Sequence, residues 1–272
     1  MADVKDIIGL MEDIAPGNLA EDWDNSGLQI GDQSWLVKKV LVALDPSPSV
    51  IESACKKNAD LLITHHPLIF KPLKNLILDT PLGKIIDLSV RHRLAVFSAH
   101  TNLDSVKGGL NDFFAEKIGL RNLSLLVSDT ADPLQPGVSP HGLGRIGELE
   151  TPISLASFSE KIKSEFGLSA LKVSGLLDMT VRKVAVCTGS GSGLMKQFFA
   201  TNADVYISGD LKFHDAKDAQ MNHRGLIDVG HFASEAIMID LIADRLNEQI
   251  KEKGLDICVE ALKEEEDPFQ YF

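Results

Sequence analysis

The 272-residue chain carries 39 acidic against 27 basic residues, a formal net charge of −12, with 44% hydrophobic and 24% charged side chains. The length accommodates one large or two modest domains, and a surface of that charge repels nucleic-acid phosphates and anionic lipid. No apolar run approaches the ~20 residues that span a bilayer, and Cys55, Cys187 and Cys258 lack the paired spacing of a disulfide framework or a thiolate zinc site. The three cysteines are expected as small buried apolar residues.

The first stretch, MADVKDIIGLMEDIAP, spreads acids through a short apolar segment, unlike the basic start of a secretory signal. It reads as an amphipathic helix with Val4, Ile7, Ile8, Met11 and Ile14 on one face, and the chain reads as cytoplasmic. Asp22, Trp23, Asp24, Asn25 and Gly27 follow as a polar cluster. Turn chemistry accounts for Asp-Asn-Ser-Gly, and the neighbouring tryptophan and glutamine suggest the wall of a site.

Lys38–His66 and Arg182–Asp210 align without a gap. Each runs through a basic pair, an apolar strand, a turn, a helix, the triplet Asn-Ala-Asp and a second apolar strand. Strand–helix–strand units of this length suit a right-handed parallel crossover, and the wide spacing suggests duplicated domains rather than a solenoid. A second echo pairs LAVFSAHTNLD (Leu94–Asp104) with GLIDVGHFASE (Gly225–Glu235). Each is a strand running into His-x-x-x-acid and then a helix, which is the side of an open α/β sheet where ligands gather. Between the halves, Ser128–Gly147 is rich in turn formers, with Pro133, Pro136 and Pro140, and is followed by strand RIGELE and helix ISLASFSEKIKSEFGL. The elements predict two α/β domains related by internal duplication, with their strand ends facing a common cleft that holds the site. The first spans 1–126 plus 226–272, and the second spans 127–225 with the crossing at its start. The tail KEEEDPFQYF, after strand-like DICVEAL, reads as a solvated acidic end whose Phe269, Tyr271 and Phe272 are free to dock.

Thr64-His65-His66-Pro67 closes an apolar strand. Proline there ends ladder pairing and holds His66 extended, so the rings are expected to diverge from one backbone point, which suits two metals better than one. Asp104 and Glu235 add hard anionic oxygens, and imidazole with carboxylate suits zinc, iron or manganese. Two cations within ~4 Å repel, so a bridging carboxylate is expected. Glu235 has the longer arm, and His231 lies four residues away on the same helical face. His100 reads equally as a direct ligand or as a hydrogen-bond partner of one. Ser190-Gly191-Ser192-Gly193 reads as a glycine-rich turn or a phosphate cradle, but it lacks the P-loop lysine and the dinucleotide fingerprint. Asp210, Lys212 and His214 read as helix-cap and surface residues or as substrate-facing ones.

The stretches EDWDNSGLQIG, LLITHHPLIFK, FSAHTNLD, GLGRIGEL, ISGDLKFHDA and IDVGHFASE together resemble the dinuclear-metal proteins related to yeast Ngg-interacting factor three, the GTP cyclohydrolase type-two homologues. They occur in family order and cover most of the chain. The resemblance implies that His66 and Asp104 hold one divalent ion, His65 and His231 a second, and that Glu235 is shared. It also implies two interlinked α/β domains and a homo-hexameric ring with the sites facing its interior. The implied activity is metal-dependent hydrolytic opening of a purine nucleotide ring, water attacking C8 of the base with His100 or His214 shuttling protons. The same ligand set serves phosphoester hydrolysis, or a non-enzymatic role in metal storage, delivery or assembly. Longer relatives insert an α/β module between the halves, where this chain has only the short crossing.

Overall fold

A computed structural model describes residues 1–128 and 140–270. They fall into two units: Met1–Leu103 with Met238–Glu266, and Asp104–Ile237 with Asp267–Phe272.

The first unit opens with α1 (Val4–Ile14). Its start is a reciprocal cap, the Asp3 carboxylate accepting the Asp6 N–H and the Asp6 carboxylate accepting the Asp3 N–H. The helix buries Val4, Ile7, Leu10, Met11 and Ile14. Ile8, expected on that face, is only half-buried, because the stripe follows 7, 10, 11, 14 around the helix and leaves Ile8 at its margin. There follow β1 (Gly27–Ile30), β2 (Lys39–Ala43), α2 (Pro48–Lys56), β3 (Leu61–Thr64), α3 (Pro81–His92), β4 (Ala95–Ser98) and α4 (Thr101–Ser105). Ser47 and Thr80 cap α2 and α3, each with proline at the first helical position.

The second unit contains α5 (Leu110–Lys117), β5 (Leu120–Leu125), β6 (Arg145–Ser154), α6 (Leu155–Glu165), β7 (Lys172–Ser174) and β8 (Thr180–Ser190). It continues with α7 (Met195–Ala200), β9 (Val205–Gly209), α8 (Phe213–Met221), β10 (Gly225–Asp228) and α9 (His231–Glu235). The chain returns to the first unit for α10 (Met238–Glu252) and β11 (Cys258–Ala261).

The first sheet has five strands in the order β1-β4-β3-β2-β11, parallel except for edge strand β1. The second has six, β5-β6-β8-β9-β10-β7, with a parallel centre of β8, β9 and β10 flanked by antiparallel strands. The near-continuous apolar runs of β2, β3 and β4 follow from burial of a parallel sheet on both faces. The units change over at Leu103/Asp104 and Ile237/Met238, not near 126 and 226. The reason is strand pairing: β5 pairs with β6, and β10 with β9 and β7, so both belong to the second sheet.

The crossing between the halves is closed locally. Beyond the β5–β6 pairing, Leu126 N–H donates to Gly144 O and Val127 N–H to Leu143 O. Buried Arg145 then gives its guanidinium to the Asp112 carboxylate and to the carbonyls of Gly142, Gly144, Ser105 and Val106. Pro133 and Pro136 lie outside the described residues.

The internal duplication extends to register. β2 pairs with β3 as Val40↔Leu61, Leu41↔Leu62 and Val42↔Ile63. β8 pairs with β9 as Val184↔Val205, Ala185↔Tyr206 and Val186↔Ile207, each position 144 residues further on. The Asn-Ala-Asp triplet has the same task in both copies. Asp60 Oδ2 accepts the N–H groups of Lys38 and Lys39 at 2.8 and 2.9 Å, and Asp204 Oδ2 those of Arg182 and Lys183 at 2.9 and 2.8 Å.

The second echo is shifted by one residue. Leu61 pairs with Ala95, whereas its equivalent Val205 pairs with Gly225. Ala99 N–H donates to Thr64 O as Val229 N–H does to Ser208 O. In place, therefore, His100 matches Gly230, Thr101 matches His231, and Asp104 matches Ser234. The two His-x-x-x-acid motifs look alike in sequence but occupy different steps of the strand-to-helix turn.

Removing the Asp60 carboxylate leaves two strand amides without their acceptor, and removing Asp204 does the same in the other copy. Asp60→Ala and Asp204→Ala are each expected to lower unfolding free energy by about 1–3 kcal/mol in urea melts. Loss in one copy but not the other would show that the triplets are not equivalent.

Candidate metal centre

In the first unit, strand pairing ends at Thr64, and the N–H groups of His65 and His66 both point to Leu44 O at 3.1 Å. Past that point side chains no longer alternate, so the expected divergence of the two rings does not occur. Their centroids are 5.2 Å apart with planes at 52°, and His100 stands 5.1 Å from His65 and 5.7 Å from His66. The three histidines bring one ring nitrogen each to within 4.8 Å of one another, a grouping able to hold a metal ion.

Each of these rings has its Nδ1 engaged. The His65 Nδ1 lies 2.9 Å from Ala99 O, the His66 Nδ1 2.7 Å from Asp45 Oδ1, and the His100 Nδ1 2.8 Å from Asp24 Oδ1. Carbonyls and carboxylates only accept, so Nδ1 carries the hydrogen and the lone pair sits on Nε2, the usual arrangement behind a metal-binding imidazole.

The polar cluster after α1 supplies one of these acceptors. Burial pushes the Asp24 carboxyl up, but hydrogen bonds from His100, Thr101 and Ser26 outweigh that and hold it well below the carboxylate range. Asn25 Nδ2 donates to Gln29 Oε1 and to Ile69 O, and Gln29 Oε1 also accepts the Ile69 N–H. Trp23, 57% exposed, presents an edge to His100 at 6.1 Å and lies 5.9 Å from Phe70.

In the second unit, α9 sets His231 and Glu235 one turn apart, with His231 Nε2 2.9 Å from Glu235 Oε2. The other nitrogen, Nδ1, lies 2.8 Å from Asp210 Oδ2, and Asp210 has a left-handed backbone at φ 54°. With Nδ1–H given to Asp210, an Nε2 lone pair facing a carboxylate needs a proton or a cation to neutralise the contact. Buried Glu235 runs past Gly189, where a Cβ would come within 2.0 Å of Oε1. Asp104 accepts from Thr188 Oγ1 at 3.3 Å.

Cys187 lies in the same region. Burial first, then the charges of Asp104 and Glu235, push its thiol up to about 12. Cys55 is buried as expected, but Cys258 is exposed because it opens edge strand β11. Imidazoles with the lone pair on Nε2 and nearby carboxylates fit a divalent ion of the zinc, iron or manganese kind.

The remaining sequence candidates are placed as follows. His214 is exposed on α8, 5.4 Å from the Phe213 ring and edge-on to it. The Lys212 N–H is capped by Asp215 Oδ2. The Ser190–Gly193 segment packs as a turn: Tyr206 donates to Gly191 O, Ser192 Oγ bonds Asp215, and a Cβ on Gly191 would meet Ser208 Oγ at 2.1 Å. Phe269 lines a cavity of about 280 Å³ with His231, Asp210 and Lys172, while Tyr271 and Phe272 lie outside the described residues. Sequence reasoning passed over Asp45. Its signal was its place, directly beyond the carboxyl end of β2, where α/β sheets gather ligands.

Gly189 makes a specific test of this geometry. Gly189→Ala adds a methyl where Glu235 runs and strains a φ of +64°. The expected result is a folded protein whose affinity for Zn2+ falls by about 10- to 100-fold in a competition titration, as for other displaced supports of a metal site.

The sequence profile of the family described as Duf34/NIF3 (NGG1p interacting factor 3) matches residues 2–268. A Clostridium perfringens protein named GTP cyclohydrolase 1 type 2 homolog is 36% identical over 271 residues, covering 98% of this chain and 99% of that protein. A Halalkalibacterium halodurans protein of the same name is 27% identical over an alignment 370 residues long, covering 100% of this chain and 99% of its own, so it carries sequence that this chain lacks. The crystal structure of a Bacillus cereus protein related to NIF3 superposes with a TM-score of 0.91 at 29% identity, covering 100% of this chain and 99% of that one. The chain belongs to the Duf34/NIF3 (NGG1p interacting factor 3) family.

Proposed function

We propose that this chain is a divalent-metal-dependent hydrolase acting on a purine nucleotide, with two ions per chain held by His65, His66, Asp104, His231 and Glu235. The observation that carries the reading is the common state of the histidines. His65, His66 and His231 each commit Nδ1 to a fixed acceptor, which leaves Nε2 as the ligand atom. His66 and Asp104 serve one ion, His65 and His231 the other, and Glu235 is shared. The relatives' name, GTP cyclohydrolase 1 type 2 homolog, supports the choice of substrate.

When bound, the ions supply Lewis acidity and make water a competent nucleophile near neutral pH. His100 is the group suited to move a proton, because the Asp24 carboxylate at 2.8 Å orients its ring. Trp23, edge-on to His100, and Phe70, next to Trp23, supply aromatic surface on which a base can rest. His214 is the second candidate for proton transfer. The homo-hexameric ring is part of the same proposal, and mass measurement in solution tests it.

Metal-replete protein is expected to carry close to two ions per chain (a count that rests on the family resemblance). Glu235→Gln is expected to lose both, and His66→Ala preferentially one. Retention of full occupancy by Glu235→Gln would remove the bridging role.

Turnover is tested by product analysis on GTP and on model phosphodiesters with zinc, iron and manganese each supplied. His100→Ala should keep its metal while turnover drops by about 100- to 10,000-fold. A parallel loss of metal would make His100 a ligand instead. Turnover of phosphodiesters alone reassigns the substrate, and no turnover with any metal leaves a metal-binding or assembly protein.

A further inference from the structure

Glu265 lies in the acidic stretch after β11 that the sequence presents as a solvated end, yet its carboxylate is half-buried and turned inward. Oε2 accepts the Leu44 N–H at 2.7 Å and Oε1 the Asp45 N–H at 2.8 Å. These two amides lie just beyond the last residue of β2, where no sheet neighbour takes them, and a charged acceptor makes a stronger bond than a neutral one. The same two residues carry the histidine pair. Leu44 O receives the N–H groups of both His65 and His66 at 3.1 Å, and Asp45 Oδ1 holds the His66 Nδ1 at 2.7 Å.

We infer that Glu265 is a positioning residue for the His65–His66 pair, acting through the Leu44–Asp45 peptide that its two oxygens clamp. The assignment rests on the reading of these histidines as metal ligands. By fixing both amides at once, the carboxylate limits rotation about the backbone from which the Asp45 side chain springs. It also fixes the carbonyl on which the two histidine amides hang. Its partners are more than two hundred positions away in the chain, so the last strand and its tail complete a support for residues of the first quarter.

The second copy shows that these amides need an external acceptor. Thr188 and Gly189, the equivalents of Leu44 and Asp45, donate to Asn111 Oδ1 at 3.0 Å and Ser234 Oγ at 2.9 Å. Two neutral side chains do there what one carboxylate does in the first copy. Glu264 beside it has a different task, an exposed ion pair with Lys57 at 3.3 Å, and serves as the control.

The experiment compares Glu265→Ala, Glu265→Gln and Glu264→Ala with the unmodified full-length protein. Co2+ is titrated by visible absorption, and the His66 ring is followed by 1H–15N spectra in the metal-free state. Glu265→Ala should bind Co2+ about 10- to 100-fold more weakly, with a changed ligand-field spectrum. Its His66 ring signals should shift, and Leu44 and Asp45 amide exchange should accelerate. Glu265→Gln, which keeps one oxygen acceptor, should fall between, and Glu264→Ala should match the unmodified protein. If Glu265→Ala does not fold, Glu265→Gln decides by the same signals. Unchanged Co2+ affinity and unchanged His66 signals in a folded variant overturn the inference. If the unmodified protein takes up no Co2+, the metal reading falls, and the His66 ring signals alone decide whether Glu265 positions that side chain.

Discussion

A histidine ring turns on two single bonds, and a ring that turns is a poor ligand, because each ordering event costs side-chain entropy at the moment of binding. The Nδ1 hydrogen bond removes that freedom in advance. His65 anchors to Ala99 O, His66 to Asp45, His100 to Asp24 and His231 to Asp210. Three of the four acceptors are carboxylates, each of which fixes the plane of its ring. Much of the surrounding structure holds those acceptors still. Thr101 and Ser26 close on Asp24, and Glu265 clamps the peptide of Asp45.

The duplicated copies share a frame but fill it differently. Where the first has Asp45, His65 and His66, the second has Gly189, Gly209 and Asp210. The two glycines are spaces that the second unit uses. A Cβ on Gly189 would meet Glu235 Oε1 at 2.0 Å, and one on Gly209 would meet the His231 backbone nitrogen at 2.6 Å. The Asp45 and His65 side chains of the first copy thus have no counterpart in the second, so that a helix can approach the strand ends there. Asp210, at the position of His66, becomes the support of a histidine instead of being one.

The sequence makes the strands, the helices and the repeat legible because they follow from periodicity and a conspicuous triplet. His65, His66, His231 and Glu235 stand out because strong ligand types cluster at strand ends. Strand-end geometry is not written in the same code. The one-residue shift between His100 and His231 depends on where the third strand enters the sheet, which the pairings Leu61↔Ala95 and Val205↔Gly225 reveal. The supports are harder still: Asp45 and Glu265 are ordinary acids in a turn and a charged tail. Their roles arise from contacts across long sequence distances. The unit boundaries escaped for a related reason, since β5 follows first-copy helices in the chain yet pairs with β6.

The closed stem at the crossing has a consequence for the length of chain it can carry. Leu126 and Val127 pair with Gly144 and Leu143, and Arg145 ties the base of this stem to Asp112 and to the carbonyls after α4. Chain suspended from such a stem is anchored at both ends by bonds that do not involve it. Lengthening a tethered segment costs only about 0.6 kcal/mol for each doubling. A longer segment can therefore be carried on the stem at little cost to the pairs that close it.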